Sequence, residues 1–172
     1  QFTVVYHGRL GRFYDVEAFQ ALILETERLD ENVRFLLAGD LDSVSRMGNW
    51  GRTKFLGEMS LSRIANLLAE SHLGACILKK TDAMSKAFPA KVYEYLGAGL
   101  PVLAAPGGEL NDFLSEREVG LTFSQAEPQA MAQAIVELKG NPSAWNRMSD
   151  NAWSLRSSLD RREGATRFVE RL

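Results

Sequence analysis

The sequence predicts an α/β fold, a Rossmann-like doubly wound parallel sheet with extra helices at its carboxyl end. Three observations carry this reading. Short runs of β-branched and aromatic residues, apolar on successive positions rather than alternating, recur along the chain as strands buried on both faces do. Segments with apolar residues at helical spacing separate them, so strand and helix alternate as a parallel sheet requires. After the last such run only helical patterns remain.

Phe2-Thr3-Val4-Val5-Tyr6 is the first strand, ended by His7-Gly8, and residues 8–14 form a loop. Asp15 is placed to cap a helix whose Val16, Phe19, Leu22, Ile23 and Leu29 make one apolar face. Residues 33–38 form the second strand, closed by Gly39-Asp40, and complete a βαβ unit whose crossover is expected to be right-handed. A polar stretch over residues 41–52 leads to a short strand at 53–56. Ser60 then caps a helix carrying Ile64, Leu67 and Leu68. A strand at 73–78, a polar loop at 79–88, a helix from 89 to 98 and a strand at 101–105 follow, with a last strand at 119–123. Beyond it, Met131, Ala134, Ile135 and Leu138 share one face of a helix over 127–139, and Asn141-Pro142 stops and restarts the chain. Trp145, Met148 and Ala152 mark the next helix, and residues 161–171 are expected to form another. In that region Arg156, Arg161, Arg162, Arg167 and Arg171 interleave with Asp160, Glu163 and Glu170 as on a solvated or domain-facing helix.

A length of 172 residues fits one domain, 1–172. The first residue is Gln1 and the chain enters a strand at Phe2, as expected of a piece of a longer protein whose partner domain is absent from this sequence. The net charge of −2, without a basic block, lacks the phosphate-neutralising surface of a nucleic-acid binder. No apolar run approaches the roughly 20 residues of a membrane-spanning helix. The single cysteine, Cys76, lies in an apolar run and reads as a buried thiol in a reducing compartment. His7 and His72 have no carboxylate or thiol spaced around them as metal ligands, so no protein-held metal is expected.

In an open parallel sheet ligands sit beyond the carboxyl ends of the strands, near the switch in strand order, so the loops after strands are the places to look. In Phe88-Pro89-Ala90-Lys91-Val92-Tyr93-Glu94, Pro89 suits the first helical turn and Lys91 falls within it. The helix dipole disfavours a cation there unless an anion docks at the exposed amides. Glu94 is three residues on, near the same face. Two readings stay open: a phosphate on Lys91 with sugar hydroxyls on Glu94, or a surface Lys91-Glu94 ion pair worth about 0.2–0.5 kcal/mol. Gly8-Arg9-Leu10-Gly11-Arg12 allows backbone approach to a diphosphate with Arg9 or Arg12 supplying charge, or is a simple turn; it does not meet the dinucleotide spacing GxGxxG. Gly107-Gly108 either cradles an oxyanion at a helix start or turns the chain.

Taken together these segments resemble the C-terminal domain of retaining GT-B glycosyltransferases, glycosyltransferase family 4. The similarity runs from Tyr6-His7-Gly8-Arg9-Leu10 through Leu36-Leu37-Ala38-Gly39-Asp40 and Phe55-Leu56-Gly57-Glu58-Met59. It is strongest from Phe88 to Val102 and includes Gly107-Gly108-Glu109. The resemblance implies that Glu94 holds the donor ribose, that Gly8 and Arg9 meet the diphosphate, and that Lys91 stands close to the phosphates. It places Gly57, Glu58 and Met59 by the base and the segment from Lys86 to Ala90, with Ala87, Phe88 and Pro89, along the transferred sugar. Two positions depart from the family pattern. Lys86 stands where the first glutamate of the EX7E motif belongs, and the Lys-Gly pair a few residues past Arg9 is missing, with Arg12 as its substitute.

The resemblance thus implies retaining transfer of a hexose from a nucleoside-diphosphate sugar, without a cofactor, to a saccharide or lipid-linked acceptor held by the absent N-terminal domain. This half alone is expected to be inactive. The implied setting is cell-surface polysaccharide or glycolipid synthesis in the cytoplasm, at the inner membrane face through the full-length protein. A sugar-nucleotide epimerase of the same architecture and a degenerate non-catalytic partner domain are the rivals; a dehydrogenase is disfavoured by the glycine spacing.

Overall fold

The structure, a computed structural model, describes residues 1–156. Six parallel strands form one sheet: β1 (Phe2–His7), β2 (Val33–Ala38), β3 (Lys54–Phe55), β4 (Leu73–Ile77), β5 (Val102–Ala105) and β6 (Gly120–Thr122). Their order is β3-β2-β1-β4-β5-β6, so the direction of winding reverses between β1 and β4. The helices are α1 (Val16–Leu29), α2 (Asp42–Ser45), α3 (Leu61–Ala69), α4 (Asp82–Ser85), α5 (Ala90–Gly97), α6 (Glu109–Glu116), α7 (Pro128–Lys139) and α8 (Pro142–Leu155). The predicted Rossmann-like fold with carboxyl-terminal helices is what forms.

Strand pleating sorts the core into two layers. Val4, Tyr6, Phe35, Leu37, Ala75 and Ile77 face α1 and α7, where Phe19, Leu22, Ile23, Met131 and Ile135 cover them. Val5, Cys76, Val102 and Ala104 face the other way, under Leu68 of α3, Val92, Tyr95 and Leu96 of α5 and Leu114 of α6. Both faces are buried, which is why the strand sequences read as unbroken apolar runs. α8 crosses between the layers: Trp145 Nε1 donates to the His72 carbonyl, and the Ser149 hydroxyl donates to the Gly99 carbonyl behind α5.

Local chemistry sets the helix starts. The Asp15 carboxylate accepts from the Ala18 amide at 3.0 Å, and the Asn141 side chain accepts from Ala144 at 3.0 Å, each satisfying an amide that has no partner within its helix. Several expectations are corrected. Ser60 occupies the cap position of α3 but makes no capping bond; its hydroxyl pairs with Ser62 instead. Pro89 caps α5 in an extended conformation, φ −62° and ψ 139°, so the helix begins one residue later than its sequence suggests. Leu29, at the last position of α1, is exposed rather than part of the apolar face. The polar stretches 41–52 and 79–88 contain the four-residue helices α2 and α4. The helix expected over residues 161–171, with its arginine cluster beyond Arg156, lies outside the described residues.

Candidate functional site: the carboxyl ends of β1 to β3

Three neighbouring strands finish on a glycine with left-handed backbone. β1 runs into Gly8 at φ +95°, β2 into Gly39 at φ +127°, and β3 is followed by Gly57 at φ +66°. The turns are tied in series: Gly8 N–H donates to the Ala38 carbonyl at 2.9 Å and Gly39 N–H to the Gly57 carbonyl at 2.7 Å. A Cβ on Gly39 would stand 2.5 Å from the Gly8 carbonyl oxygen, so the close approach requires glycine. Above this floor lies a cleft of about 520 Å³ lined by His7, Gly8, Arg9, Asp40, Glu58 and Met59 among others.

The loop after β1 and the segment after β4 diverge at the strand-order switch, yet they are held together. Asp15 N–H donates to Ile77, Lys79 N–H donates to Phe13, and Tyr14 bridges Leu78. Across this seam α5 brings its first turn to the end of β1. Lys91 is buried, only 8 % exposed, with its ammonium 3.4 Å from the centre of the Tyr6 ring and 4.1 Å from that of Tyr14. The ammonium has no hydrogen-bond partner. It stands 3.9 Å from the place a Cβ on Gly8 would occupy, so it reaches the floor of the cleft. Burial lowers its pKa to about 7, against smaller opposing influences from Cys76 and Glu94.

The reading of Lys91 and Glu94 as a surface ion pair is corrected: Lys91 is buried, and the partner of Glu94 lies elsewhere. Glu94 instead approaches His7, one carboxylate oxygen lying 3.0 Å from Nε2, although the ring nitrogen lacks hydrogen-bond alignment and is otherwise without a partner. Burial, with the nearby Lys91 charge second, lowers the His7 pKa to about 4, so the imidazole is neutral at physiological pH. The other groups packed here are held protonated: burial pushes the Cys76 thiol and the Tyr14 hydroxyl up to about 12, and raises Tyr6 and Tyr95 well above the ordinary phenol value.

The structure therefore brings Gly8, Arg9, Glu58 and Met59 into one cleft, with Gly57 tied beneath it; Lys91 and Glu94 do not line the cleft but stand behind it, Lys91 against Gly8 and Glu94 beside His7. Arg9 is exposed and paired with Asp40 at 2.9 Å. Arg12 is not in this cleft. It lines a separate hollow with Lys79 and Lys80, its guanidinium over the Phe13 ring. Lys86 caps the end of α4 and is exposed, and Phe88 turns toward the α6 layer, its ring 4.6 Å from Tyr93 and 5.1 Å from Phe113. None of Lys86, Ala87, Phe88 or Pro89 lines the cleft at Gly8. Gly108 serves packing, since a Cβ there would collide with the Ser85 carbonyl.

Sequence reasoning missed His7, Asp40 and the two tyrosines. The position of His7 and Asp40 beside strand-ending glycines was the available signal; the tyrosine contacts to Lys91 are long-range and leave none. Among the described residues no three His, Cys, Asp or Glu side chains group as metal ligands, and no helix is long and apolar enough to cross a membrane.

Solved structures with this architecture share little sequence with the chain. HepE of Anabaena, in complex with UDP-glucose, superposes with a TM-score of 0.74 at 21 % identity, over 100 % of this chain and 49 % of its own. The pneumococcal O-GlcNAc transferase GtfA, in complex with UDP and GlcNAc, gives 0.75 at 17 % identity, over 98 % of this chain and 35 % of its own. The C-terminal domain of LpcC, a glycosyl transferase group 1 family protein of Francisella tularensis, gives 0.71 at 16 % identity, over 91 % of this chain and 85 % of its own. The chain thus spans about half the length of HepE. None of the curated proteins matches significantly. The family model of glycosyl transferases group 1 matches residues 1–141, and the chain belongs to that family.

Proposed function

We propose that this chain is the donor-binding, C-terminal half of a two-domain retaining glycosyltransferase that moves a hexose from a nucleoside-diphosphate sugar to an acceptor held by an N-terminal domain. One observation carries it: the Lys91 ammonium, buried and without a hydrogen-bond partner, reaches a glycine floor at the strand-order switch. An unpaired buried cation is costly, and a diphosphate oxygen at Gly8 would supply the missing partner. Gly8 gives the backbone clearance. Arg9, on leaving Asp40, would add a second positive charge, and Glu94, half exposed beside His7, would accept from ribose hydroxyls. As the sugar leaves, negative charge gathers on the diphosphate, and cations fixed in advance stabilise that change without reorganising. Glu58 and Met59 then lie by the base. The UDP-glucose complex of HepE and the match to the C-terminal domain of LpcC support the reading. The parent protein would work in the cytoplasm, in cell-surface polysaccharide or glycolipid synthesis, with no metal at the donor site.

The test is an NMR titration of the chain with UDP, GDP and ADP beside a Glu94→Ala variant. Shifts centred on Gly8, Gly39 and α5, weakened about tenfold or more by the substitution, are expected, with no turnover by this half alone. No shift from any of the three nucleotides would overturn the proposal. Lys86, an exposed cation where the family carries its first glutamate, favours a second reading, a domain that binds the nucleotide without transferring sugar. Product analysis on the two-domain protein separates the two.

A further inference from the structure

Tyr6 touches both basic residues of the site, Lys91 at its ammonium and Arg9 at its backbone. The face of its ring lies under the Lys91 ammonium at 3.4 Å, while its hydroxyl donates to the Arg9 carbonyl at 2.7 Å. Tyr14 adds a second ring face at roughly a right angle to the first, 4.1 Å from the same ammonium and edge-on to Tyr6 with ring centres 5.5 Å apart. Tyr6 is buried at the end of β1, and Tyr14 is held by its backbone to the segment after β4. The two rings therefore form a corner against the ammonium at the strand-order switch.

We propose that Tyr6 and Tyr14 are positioning residues, an aromatic cradle that holds the Lys91 ammonium at Gly8 while the Tyr6 hydroxyl sets the Arg9 backbone, so that a diphosphate meets both cations in one fixed register. This rests on the nucleoside-diphosphate reading above. Its physical content is that ring faces attract the cation without neutralising it. A carboxylate at the same distance would pair with Lys91 and compete with the phosphate; two quadrupoles leave its charge free. The cradle thus orients the cation without occupying the ligand's place. The remaining titratable neighbours, His7 from β1, Cys76 from β4 and Glu94 on α5, leave Lys91 without a hydrogen bond.

Two measurements test this on the 172-residue chain: the titration midpoint of Lys91 by NMR without ligand, and UDP affinity as a function of pH by calorimetry. Tyr6→Phe keeps the ring and loses the hydroxyl, so the midpoint should stay in place while UDP affinity falls roughly threefold to tenfold, the range of one lost hydrogen bond. Tyr14→Leu, at a half-buried position, removes one ring face. The Lys91 midpoint should fall by about one pH unit, a tenfold loss of proton affinity, and the pH above which UDP binding weakens should fall with it. Residues that merely supported the fold would change thermal stability and leave both midpoints unmoved. Wild-type UDP affinity in Tyr6→Phe, or an unmoved midpoint in Tyr14→Leu, overturns the proposal. If the wild type binds neither UDP, GDP, ADP nor pyrophosphate, the donor-binding reading and the diphosphate register fail together, and the ligand-free midpoint still decides whether the cradle holds Lys91.

Discussion

His7 Nε2 lies 3.0 Å from a carboxylate oxygen of Glu94, joining the end of β1 to the second turn of α5. Burial keeps this imidazole neutral, with a pKa of about 4, so the contact is not an ion pair at neutral pH. In the unfolded chain the same side chain titrates near 6.5. Between those values the unfolded state binds the extra proton, so stability falls as pH falls through that window. The loss between pH 7 and pH 5 should be about 2 kcal/mol. Burial lowers the His72 pKa too and acts in the same direction, so the decisive measurement is a comparison. Urea unfolding of His7→Gln should show a slope with pH reduced by that amount relative to wild type; an unchanged slope contradicts a neutral buried His7.

The glycine floor makes a second prediction that separates steric from conformational cost. Gly39→Ala places a methyl group 2.5 Å from the Gly8 carbonyl oxygen and in a left-handed backbone, so it should lose about 2–4 kcal/mol and disturb the cleft. Gly57→Ala has the same kind of backbone, φ +66°, but nothing within 4 Å of the added Cβ. Only the conformational strain remains there, about 1 kcal/mol. Equal losses in chemical denaturation would show that the close approach of Gly8 and Gly39 is not what demands glycine.

Arg9 and Asp40 form an exposed pair, and exposed pairs contribute at most about 1 kcal/mol. Asp40→Ala should therefore leave the melting temperature nearly unchanged. Freed of its partner, Arg9 should bind the diphosphate more tightly, by roughly twofold to fivefold at low salt. Calorimetry with UDP on Asp40→Ala, Arg9→Ala and the double variant tests this; the gain must disappear when Arg9 is absent.

What could be read from sequence follows the range of the interaction. β1 and β2 announce themselves because burial on both faces makes Val4-Val5-Tyr6 and Phe35-Leu36-Leu37 continuous apolar runs, and Asp15 caps through atoms three residues away. α2 and α4 escape because a single turn has no periodicity to detect. The spacing of Lys91 and Glu94 suggests a mutual pair, since helical neighbours three apart lie close. The fold gives each a partner from elsewhere: Lys91 meets the rings of Tyr6 and Tyr14, and Glu94 meets His7. Those contacts exist only once β1 and β4 lie side by side, and no local pattern encodes that. Strand-ending glycines pointed to the candidate cleft; the electrostatics around it came from tertiary structure.

Lys91 gives the sharpest test, because stability and binding should move in opposite directions. Its pKa is lowered to about 7 from the ordinary 10.5, so above pH 7 the unfolded state holds a proton that the folded state gives up. The Lys91 contribution to stability therefore rises with pH across this window, by about 2 kcal/mol between pH 7 and pH 9, opposed by less than about 1 kcal/mol from Cys76, whose thiol burial keeps protonated while the unfolded chain begins to ionise it. Lys91→Met keeps the apolar stem and removes the charge. It should be more stable than wild type at pH 7 by on the order of 1–2 kcal/mol, the burial penalty less the lost ring contacts, and should lose the pH 7–9 slope. UDP affinity should fall at least tenfold in the same variant. In the wild type that affinity should weaken as pH rises above 7, because the ligand recruits the protonated amine and binding takes up a proton. A cation retained against the stability of its own fold is the mark of a site shaped by a ligand. If Lys91→Met destabilises the chain and leaves UDP binding intact, Lys91 is a packing residue and the diphosphate belongs elsewhere.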